Sequence, residues 1–443
     1  MDEELREGIR LLSQNDADYW TFSRKTDRED AHGYYQYPAM MIPRLQRELM
    51  KLILQLQPRV SSVFDAFAGS GTILTETMYS GLNARAHDVN PLAVLLCKAK
   101  TGPFSYETLA SQIDSLVRRI SHDQSETPAV EFSGLKKWFT AEAITALSRI
   151  HRAITKEPDQ WVRRIFWITV AETVRLTSNS RTSTYKLHIR PQSEIDALPD
   201  PLVTFLAILE RNRKRHASLA ETLAAAGLLT NGCYIGDVTC KLHDAREPVD
   251  GQFDLLVTSP PYGDNTSTVP YGQNSYLPLQ WIDPKDLPSP AESDYLKSTY
   301  EIDNLCLGGT LPRGDLWELS SGLRKRSPSL ERTLKALLLL PRDRSARVYA
   351  FVRDLDQCLT PLARSIRKNG YLLVTIGNRR VGGVEVPSDS MLTELFAERG
   401  VEFVTAVDRR IPAKRMATRN NVASTMRSER ILIFRQGRSS ADA

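Results

Sequence analysis

The sequence is poor in cysteine and holds no long apolar run. Its five cysteines form no Cys-x-x-Cys pair, which argues against a disulfide framework or a zinc ribbon. No apolar stretch approaches the roughly 18 residues that a membrane helix needs, and Met1–Leu5 lacks the basic and apolar regions of a signal peptide. These absences exclude secreted, membrane and collagen-like classes, and they predict a protein of the reducing cytoplasm without a membrane partner.

What the chain does contain is typical of a globular protein with a large core. It has 443 residues, of which 41% are hydrophobic and 25% are charged, enough for one large domain or two ordinary ones. Lysine and arginine number 58 against 53 acidic residues, a formal net charge of +5. So small an excess indicates a nucleic-acid partner only if the charge is concentrated in one part of the chain.

Strand and helix patterns alternate near the amino end. The apolar pair Val63-Phe64 leads into a turn with two glycines, called here the glycine turn (Asp65–Thr72), and a helix pattern follows. A second short strand pattern at 84–87 ends in Asp88 and precedes a helix pattern at 92–100. Strand, glycine turn, helix, strand and acidic residue in this order predict the beginning of a doubly wound, Rossmann-like α/β sheet.

The glycine turn suits a ligand that lies across the carboxyl edge of a sheet. Such a ligand approaches the backbone closely, and a Cβ at Gly69 or Gly71 would obstruct it. A carboxylate at the end of the next strand, here Asp88, can accept two hydrogen bonds from a ribose diol. Leu74 stands where the third glycine of a dinucleotide fingerprint would fall, so the pattern favours a nucleoside cofactor without phosphates over NAD.

These residues resemble a known family. Asp65–Thr72 is similar to the first motif, Asp-x-Phe-x-Gly-Ser-Gly-Thr, of S-adenosylmethionine-dependent amino-methyltransferases. Asp88 with Asn90–Ala93 resembles their second motif, Tyr37–Met40 the segment over the methionine end, and Gly236-Asp237 the third motif, whose acid meets the adenine amino group. The resemblance implies S-adenosylmethionine as cofactor, a seven-stranded methyltransferase sheet with its last strand antiparallel, and a set of cofactor-binding residues: Tyr37, Pro38, Asp65, Phe67, Gly69, Gly71, Thr72, Asp88 and Asp237.

A tetrapeptide directly follows the apolar strand pattern at 253–258, and its members are Ser259, Pro260, Pro261 and Tyr262. It resembles the catalytic motif of N4-cytosine and N6-adenine DNA methyltransferases, in which a leading Ser indicates cytosine N4 and a leading Asp or Asn indicates adenine N6. An exocyclic amine attacks better when acceptors hold its hydrogens. The Ser259 hydroxyl and the Pro260 carbonyl suit that role, since neither proline offers an N–H, and Tyr262 offers a face on which an extruded base can stack.

The resemblance implies a site-specific methyltransferase that flips a cytosine out of double-stranded DNA and methylates its N4 amine. Three alternatives stay open: N6-adenine methylation, a tRNA guanine-N2 methyltransferase and a catalytically silent DNA-binding subunit. The implied setting is the cytoplasm of a bacterium or archaeon, in association with DNA. A cognate restriction endonuclease is the protein partner to test for.

Two other chemistries are disfavoured by the cysteines. Methylation at cytosine C5 needs a cysteine nucleophile, usually after a proline, and no cysteine here follows one. Cys233, Cys240 and His243 stand near one another in the sequence, but two of the three sit around a strand and turn that belong to the predicted sheet. We therefore expect no metal site, and we expect the cysteines to be small core residues.

A helix-rich stretch separates the two groups of motifs. Gly71 and Ser259 are 188 residues apart, whereas three βα units of about 30 residues would need roughly 90. We expect one catalytic fold in three parts: an N-terminal segment with the cofactor-binding half, a helical insertion, and a catalytic half with a variable region at 284–345 and basic strands at its end. The bounds of the three parts are 1–101, 102–230 and 231–443.

Two segments carry the prediction of DNA contacts. Leu176–Pro191 combines cations and hydroxyls without an acid, a mixture that can contact phosphates. Residues 409–430 hold seven basic residues and one acid, so this segment alone exceeds the net charge of the whole chain. Either 102–230 or 284–345 fits the target-recognition region of such enzymes. The residues expected to contact the DNA backbone are Arg181, Lys186, Arg190, Lys414 and Arg415.

Overall fold

A seven-stranded sheet organises the chain. The structure is a computed structural model that describes residues 1–14, 16, 18–22, 30–288, 293–411 and 428–437. The strands of the sheet, numbered along the chain, are β1 Ser62–Asp65, β2 Asn83–Asp88, β3 Val238–Leu242, β4 Phe253–Thr258, β5 Ile366–Ile376, β6 Val401–Arg410 and β7 Ser428–Gln436.

The strand order is β6-β7-β5-β4-β1-β2-β3. β1, β2, β3, β4 and β5 are mutually parallel, while β7 pairs antiparallel with both β5 and β6. The order reverses between β1 and β4, the kind of position at which open α/β sheets bind their ligands. The predicted doubly wound sheet with an antiparallel last strand is confirmed.

Seventeen α-helices and two small ribbons surround the sheet in the described ranges. The ribbons pair Leu229–Thr230 with Cys233–Tyr234 and Arg379–Val381 with Val384–Val386. Short 3₁₀ turns lie at Tyr19–Thr21, Asp30–Gly33, Pro284–Asp286 and Ser293–Leu296. The helices are α1 Asp2–Ser13, α2 Pro43–Leu56, α3 Thr72–Tyr79, α4 Pro91–Lys100, α5 Tyr106–His122, α6 Leu135–Trp138, α7 Ala141–Thr155, α8 Gln160–Thr177, α9 Gln192–Ile195, α10 Pro201–Ala225, α11 Tyr271–Gln280, α12 Glu301–Leu305, α13 Leu316–Leu319, α14 Ser321–Arg326, α15 Pro328–Leu337, α16 Arg342–Arg364 and α17 Ser388–Ala397.

The central strands are buried on both faces. In β4, Leu255 and Val257 pack against α1 and α2, whereas Leu256 packs on the opposite face against α16 and α17. Because successive side chains of a strand point to opposite faces, a strand covered by helices on both sides is apolar throughout. This is why the run Phe253–Thr258 could be recognised as a strand.

The helical insertion packs against one end of the sheet and is largely built on α8 and α10. Thirteen of the eighteen residues of α8 are buried, and α8 packs against α4, α7, α10 and α11. The sequence pattern predicts four helices in this part, at 106–120, 141–154, 161–176 and 202–226, and they begin and end within two residues of the observed α5, α7, α8 and α10. None of the helices in the described ranges is both long and apolar enough to span a membrane.

One strand was placed wrongly by the sequence. The pattern at 233–235, just before Gly236-Asp237, predicts a strand of the main sheet, but Cys233 and Tyr234 instead pair with Leu229–Thr230 in a small ribbon. The strand of the main sheet is β3, which pairs only with β2. As an edge strand it alternates polar and apolar residues, with Lys241 exposed and Cys240 buried, so it lacks the continuous apolar run of its neighbours.

Candidate active site

A cleft opens at the carboxyl ends of β1, β2, β3 and β4. Its volume is about 770 Å³, counting the space open to solvent, which is within the range of small-molecule sites. None of the described residues that line it is Lys or Arg, so the cleft offers no cation to a phosphate. The lining residues are Tyr37, Pro38, Ala39, Met40, Met41, Ala66, Phe67, Ala68, Gly69, Ser70, Asp88, Val89, Asn90, His243, Asp244, Ala245, Ser259, Pro261, Tyr271, Leu305, Cys306 and Leu307.

The two glycines of the glycine turn have different reasons for being glycine. Both have positive φ, +48° for Gly69 and +71° for Gly71, which L side chains rarely adopt. A Cβ on Gly69 would lie 3.4 Å from Tyr37 Cε1 at the cleft wall. A Cβ on Gly71 would instead lie 3.0 Å from Cys97 Sγ on α4. Gly69 therefore shapes the cleft, whereas Gly71 lets α3 begin close against α4.

Asp88 faces the cleft from the end of β2, as predicted. Its two carboxylate oxygens accept hydrogen bonds from the N–H groups of Gly69 and Asn90, each over 2.8 Å. Burial raises the pKa of Asp88 to about 6, although these backbone hydrogen bonds oppose the shift. Each carboxylate oxygen can accept a further hydrogen bond, so this side chain fits the diol of a ribose in the cleft.

Two stacked tyrosines form one wall of the cleft. The rings of Tyr37 and Tyr271 lie 5.8 Å apart and nearly parallel, at 25°. Asn90 Nδ2 donates to Tyr37 Oη over 3.0 Å and to Ser275 Oγ over 2.8 Å, which fixes the wall to β2 and α11. With Pro38 and its neighbours, this wall supplies the apolar surface that an adenine ring or a thioether chain prefers.

Asp65 lies beneath the glycine turn rather than in the cleft lining. Its Oδ1 accepts hydrogen bonds from Thr258 Oγ1 over 2.7 Å and from Phe67 N–H over 3.1 Å. Burial raises the pKa of Asp65 to about 7, against the effect of these hydrogen bonds. Thr72 is also buried there, with its hydroxyl 2.9 Å from Ser70 Oγ. Both residues hold the shape of the turn, and Asp65 joins β1 to β4.

The tetrapeptide Ser259–Tyr262 follows β4 and reaches the cleft through two of its members. Ser259 and Pro261 line the cleft, whereas Pro260 is buried and Tyr262 is half-buried. Ser259 Oγ donates a hydrogen bond to the carbonyl oxygen of Thr375 on β5 over 3.2 Å. Its hydroxyl hydrogen is thereby engaged, and the lone pairs of the oxygen are left to accept hydrogen bonds from a ligand. Burial and the nearby Glu429 carboxylate raise the pKa of Tyr262 well above its ordinary value, so the phenol stays neutral.

The structure corrects the placement of Asp237. This residue precedes β3, is exposed and lies opposite Asn83, the first residue of β2. By the rise of a strand it is roughly 17 Å from the carboxyl edge where the cleft opens. The acid that follows β3 and lines the cleft is Asp244, which was not predicted from the sequence. The signal that could have found it is the alternating pattern of 238–242, which identifies an edge strand that ends just before it.

Asp244 is held in the cleft by an arginine. Arg246 Nη2 lies 2.5 Å from Asp244 Oδ2. Burial raises the pKa of Asp244, but the hydrogen bonds and charge of Arg246 outweigh it and leave that pKa below its ordinary value. The carboxylate therefore stays an acceptor, and it is suited to an amino group of a ligand in the cleft.

The basic residues that were expected to contact DNA fall into three groups. Arg181 and Lys186 are exposed on the loop after α8. Arg190 is engaged within that loop, since its Nε donates to the Ser180 carbonyl over 3.0 Å. Lys414 and Arg415 lie outside the described residues. At the ends of the segment 409–430, Arg409 pairs with Glu429, and Arg430 pairs with Asp408 and Asp389.

The residues of the cleft fit S-adenosylmethionine. Asp88 can accept hydrogen bonds from a ribose and Asp244 from an amino group, and the tyrosine wall offers an apolar surface. No cation in the described lining calls for a phosphate. Of the predicted cofactor residues, the structure brings Tyr37, Pro38, Phe67, Gly69 and Asp88 into the cleft. Behind them lie Asp65, Gly71 and Thr72. Asp237 lies at the amino ends of the strands, away from the cleft.

Comparisons with known proteins identify one relative along the whole chain. No family model matches the sequence. Two solved structures of the rRNA methyltransferase AviRa from Streptomyces viridochromogenes each cover 90% of the chain and 86% of their own, at 11% and 12% identity with TM-scores of 0.29 and 0.28. The type II methyltransferase M.MvaI of Kocuria varians is 30% identical over 457 residues, which cover 98% of this chain and 97% of that protein. The chain therefore belongs to the type II methyltransferases, and S-adenosylmethionine is its methyl donor.

Proposed function

We propose that the protein is a site-specific DNA methyltransferase that transfers a methyl group to the exocyclic N4 amine of a cytosine flipped out of double-stranded DNA. The observation that carries the proposal is the hydrogen bond from Ser259 Oγ to the Thr375 carbonyl. It presents the serine oxygen as an acceptor in the same cleft that holds Asp88 and the glycine turn. An amine donor placed there meets an acceptor beside the methyl donor.

The residues of the tetrapeptide prepare the amine. The lone pair of an aromatic amine is delocalised into its ring, and hydrogen bonds from the amine to Ser259 Oγ and the Pro260 carbonyl favour a more tetrahedral nitrogen. Neither proline carries an N–H, so no backbone donor of these two residues competes for the lone pair. Bound S-adenosylmethionine supplies an electrophilic methyl group. Tyr262 does not line the cleft, so we assign it to supporting the tetrapeptide from behind and not to stacking directly on the base.

The position of Ser259 supports a reaction on an extruded base. Ser259 shares its cleft with the tyrosine wall and the segment Leu305–Leu307. A base stacked in a duplex cannot bring its exocyclic amine to such a site, and enzymes that modify bases therefore flip them out. We propose that the exposed cations Arg181 and Lys186 contact DNA phosphates, and we extend this role to Lys414 and Arg415. Arg190 instead stabilises the loop that carries the first two.

The target base can be identified in a single experiment. The protein is expressed in a methylation-free bacterial host, and the genome is sequenced by a method that distinguishes N4-methylcytosine from N6-methyladenine. We expect N4-methylcytosine at one short recognition sequence, and none in a host that expresses Ser259→Ala. N6-methyladenine at the mapped sites would replace the cytosine assignment, and unmodified DNA together with methylated RNA would refute a DNA substrate.

The proposal extends to a protein partner and a location. The relative from Kocuria varians is named a type II methyltransferase, and we propose that this protein has a cognate restriction endonuclease acting at the same recognition sequence in the bacterial or archaeal cytoplasm. Genomic DNA from the expressing host should resist an endonuclease of that specificity. Cleavage at the mapped sites would argue against the pairing.

A further inference from the structure

A second pocket lies beside the cleft, under the loop that follows α8. Its volume is about 480 Å³, counting the space open to solvent. We call it the side pocket, and ten of the thirteen residues that line it are polar or charged. The residues that line it are Gln36, Arg175, Ser178, Ser180, Arg181, Thr182, Thr184, Tyr185, Lys186, Leu187, Asn274, Leu277 and Pro278.

The side pocket and the cleft lie on opposite sides of one wall. Gln36 lines the side pocket, and the next residue, Tyr37, lines the cleft. In the same way, Tyr271 of α11 lines the cleft, and Asn274, one turn further along the helix, lines the side pocket. Asn274 Nδ2 donates to Tyr35 Oη over 3.1 Å and joins the two halves of the wall. A ligand in the side pocket is therefore a close neighbour of one in the cleft.

The loop over the side pocket is ordered by its own backbone. Ser180 and Ile189 form an antiparallel bridge, and the Arg181 N–H donates to the His188 carbonyl over 2.9 Å. The Arg190 N–H donates to the Asn179 carbonyl over 2.8 Å, in addition to the side-chain bond of Arg190 to Ser180. These bonds make a hairpin that holds its exposed side chains in place before any ligand arrives.

The charges of the side pocket are unevenly compensated. Arg175 forms a two-point pair with Glu172, with distances of 2.7 and 2.9 Å. Within the described residues, the side chains of Arg181 and Lys186 meet no carboxylate, although both line the pocket. Five hydroxyl groups stand around them, from Ser178, Ser180, Thr182, Thr184 and Tyr185. Two free cations among hydroxyl donors suit an anion with several oxygen acceptors.

We propose that the side pocket binds a phosphodiester group of the substrate strand next to the flipped nucleotide. This inference rests on the proposed DNA methyltransferase activity and names the residues that hold the strand. Arg181 donates two parallel hydrogen bonds to phosphate oxygens, Lys186 adds a point charge, and the hydroxyls complete the contacts. Since the wall of Tyr37 and Tyr271 separates the two sites, a phosphate bound on one side directs the adjoining nucleotide into the cleft on the other.

The first test measures DNA affinity over a range of salt concentrations. The double variant R181A/K186A is compared with wild type and with R59A/K368A, which removes the same charges at the amino edge of the sheet, where both side chains are exposed. We expect the slope of log affinity against log salt to fall by about 1 in R181A/K186A, because both side chains contact the same phosphate and one phosphate contact is lost. We expect no change in the control, and an unchanged affinity for S-adenosylmethionine in both. A slope equal to that of wild type overturns the proposal.

The second test locates the phosphate. Duplexes with the mapped recognition sequence carry a neutral methylphosphonate at one backbone position at a time. Wild type should lose about tenfold in affinity when the replaced group is next to the target nucleotide, while R181A/K186A should lose less than twofold at that position. An equal loss in both proteins at every position overturns the assignment. Failure of the proposed function would give a different result, since wild type would then methylate no DNA at all.

Discussion

Arg379 Nη1 donates a hydrogen bond over 2.9 Å to Oδ1 of Asp264, which is two residues after the last residue of the tetrapeptide, Tyr262. Both side chains are buried, and the guanidinium lies so close to Gly263 that a Cβ there would be 2.6 Å from Arg379 Cζ. Asp264 Oδ1 also accepts a hydrogen bond from Ser267 Oγ over 2.6 Å. The ion pair thus fixes the chain that leaves Tyr262, and Arg379 is a positioning residue for the tetrapeptide.

Substituting Arg379 should therefore cost both stability and turnover. In Arg379→Ala, Asp264 keeps its hydrogen bond from Ser267, and its remaining cationic partner among the described residues is Arg347, at 3.4 Å. Breaking a buried ion pair costs about 3–5 kcal/mol. We expect the free energy of unfolding to fall by that order in urea denaturation. We also expect kcat to fall more than the affinity for S-adenosylmethionine, with partial recovery in Arg379→Lys. The matched control is Arg380→Ala, at the exposed neighbouring residue. An equal loss of stability and kcat in that variant would show that the effect does not come from the ion pair of Arg379 and Asp264.

Ser259→Ala should separate binding from chemistry. The variant removes the acceptor proposed for the target amine and leaves Asp88 and the glycine turn in place. We expect the methylation rate to fall by about 100- to 1,000-fold, the usual loss when one preorganised hydrogen-bonding group of a transition state is removed. Affinity for S-adenosylmethionine, measured by titration calorimetry, should stay within twofold of wild type. Undiminished methylation by the variant would refute the mechanism.

The affinity for S-adenosylmethionine should depend on pH through Asp88. The pKa of Asp88 is raised to about 6, and the ionised carboxylate is the stronger acceptor for a ribose diol. We expect an affinity that is constant above pH 7 and falls as the pH decreases through 6. Asp88→Asn should bind about tenfold more weakly at pH 8 and show no further loss at low pH. That variant also reports any titration of the ligand itself, and a parallel pH profile in both proteins would contradict the role of Asp88.

Asp65 should make the protein less stable as the pH rises. Its pKa is about 7 in the folded state against an ordinary value of 3.8, so the folded state binds more protons than the unfolded state between these values. The free energy of unfolding should decrease as the pH rises from 4 to 7 and level off above, by an amount on the order of a few kcal/mol. Urea denaturation of Asp65→Asn should show this slope reduced, while the exposed control Asp237→Asn should keep it. Identical slopes in wild type and Asp65→Asn would rule out the effect.

The parts of the fold that could be predicted are those whose physics is local. The run Phe253–Thr258 is apolar because it is buried on both faces, and the glycine turn needs backbone conformations that glycine adopts easily. β3 could not be recognised in the same way, because part of an edge strand is exposed to solvent and its sequence lacks a continuous apolar run. The composition of 263–330, rich in Pro, Ser, Gly and Tyr, predicts irregular structure. Helix α11 lies within it and was missed, because it contains Pro278 near its end.

Ion pairs and hydrogen bonds between residues far apart in the sequence could not be predicted, for a different reason. Arg379 and Asp264 are 115 residues apart, and neither has a local pattern that marks the other. Arg190 looked like a DNA contact by its neighbours in sequence, yet its partner is the Ser180 carbonyl of the same hairpin. Residue type indicated the chemistry in both cases, but only the folded chain distinguishes a cation that binds a ligand from one that holds the protein together.

The hydrogen bond from Thr258 to Asp65 spans 193 residues, and this has a consequence for synthesis on the ribosome. β1 is the first strand of the sheet to be made, and until β4 emerges it has β2 as its only neighbour. At 5–20 residues per second, that interval lasts about 10–40 s. The helices of the insertion form from local contacts in the meantime. Newly made chains therefore pass through a stage in which the helical part is folded and the first-made strand still waits for its second partner.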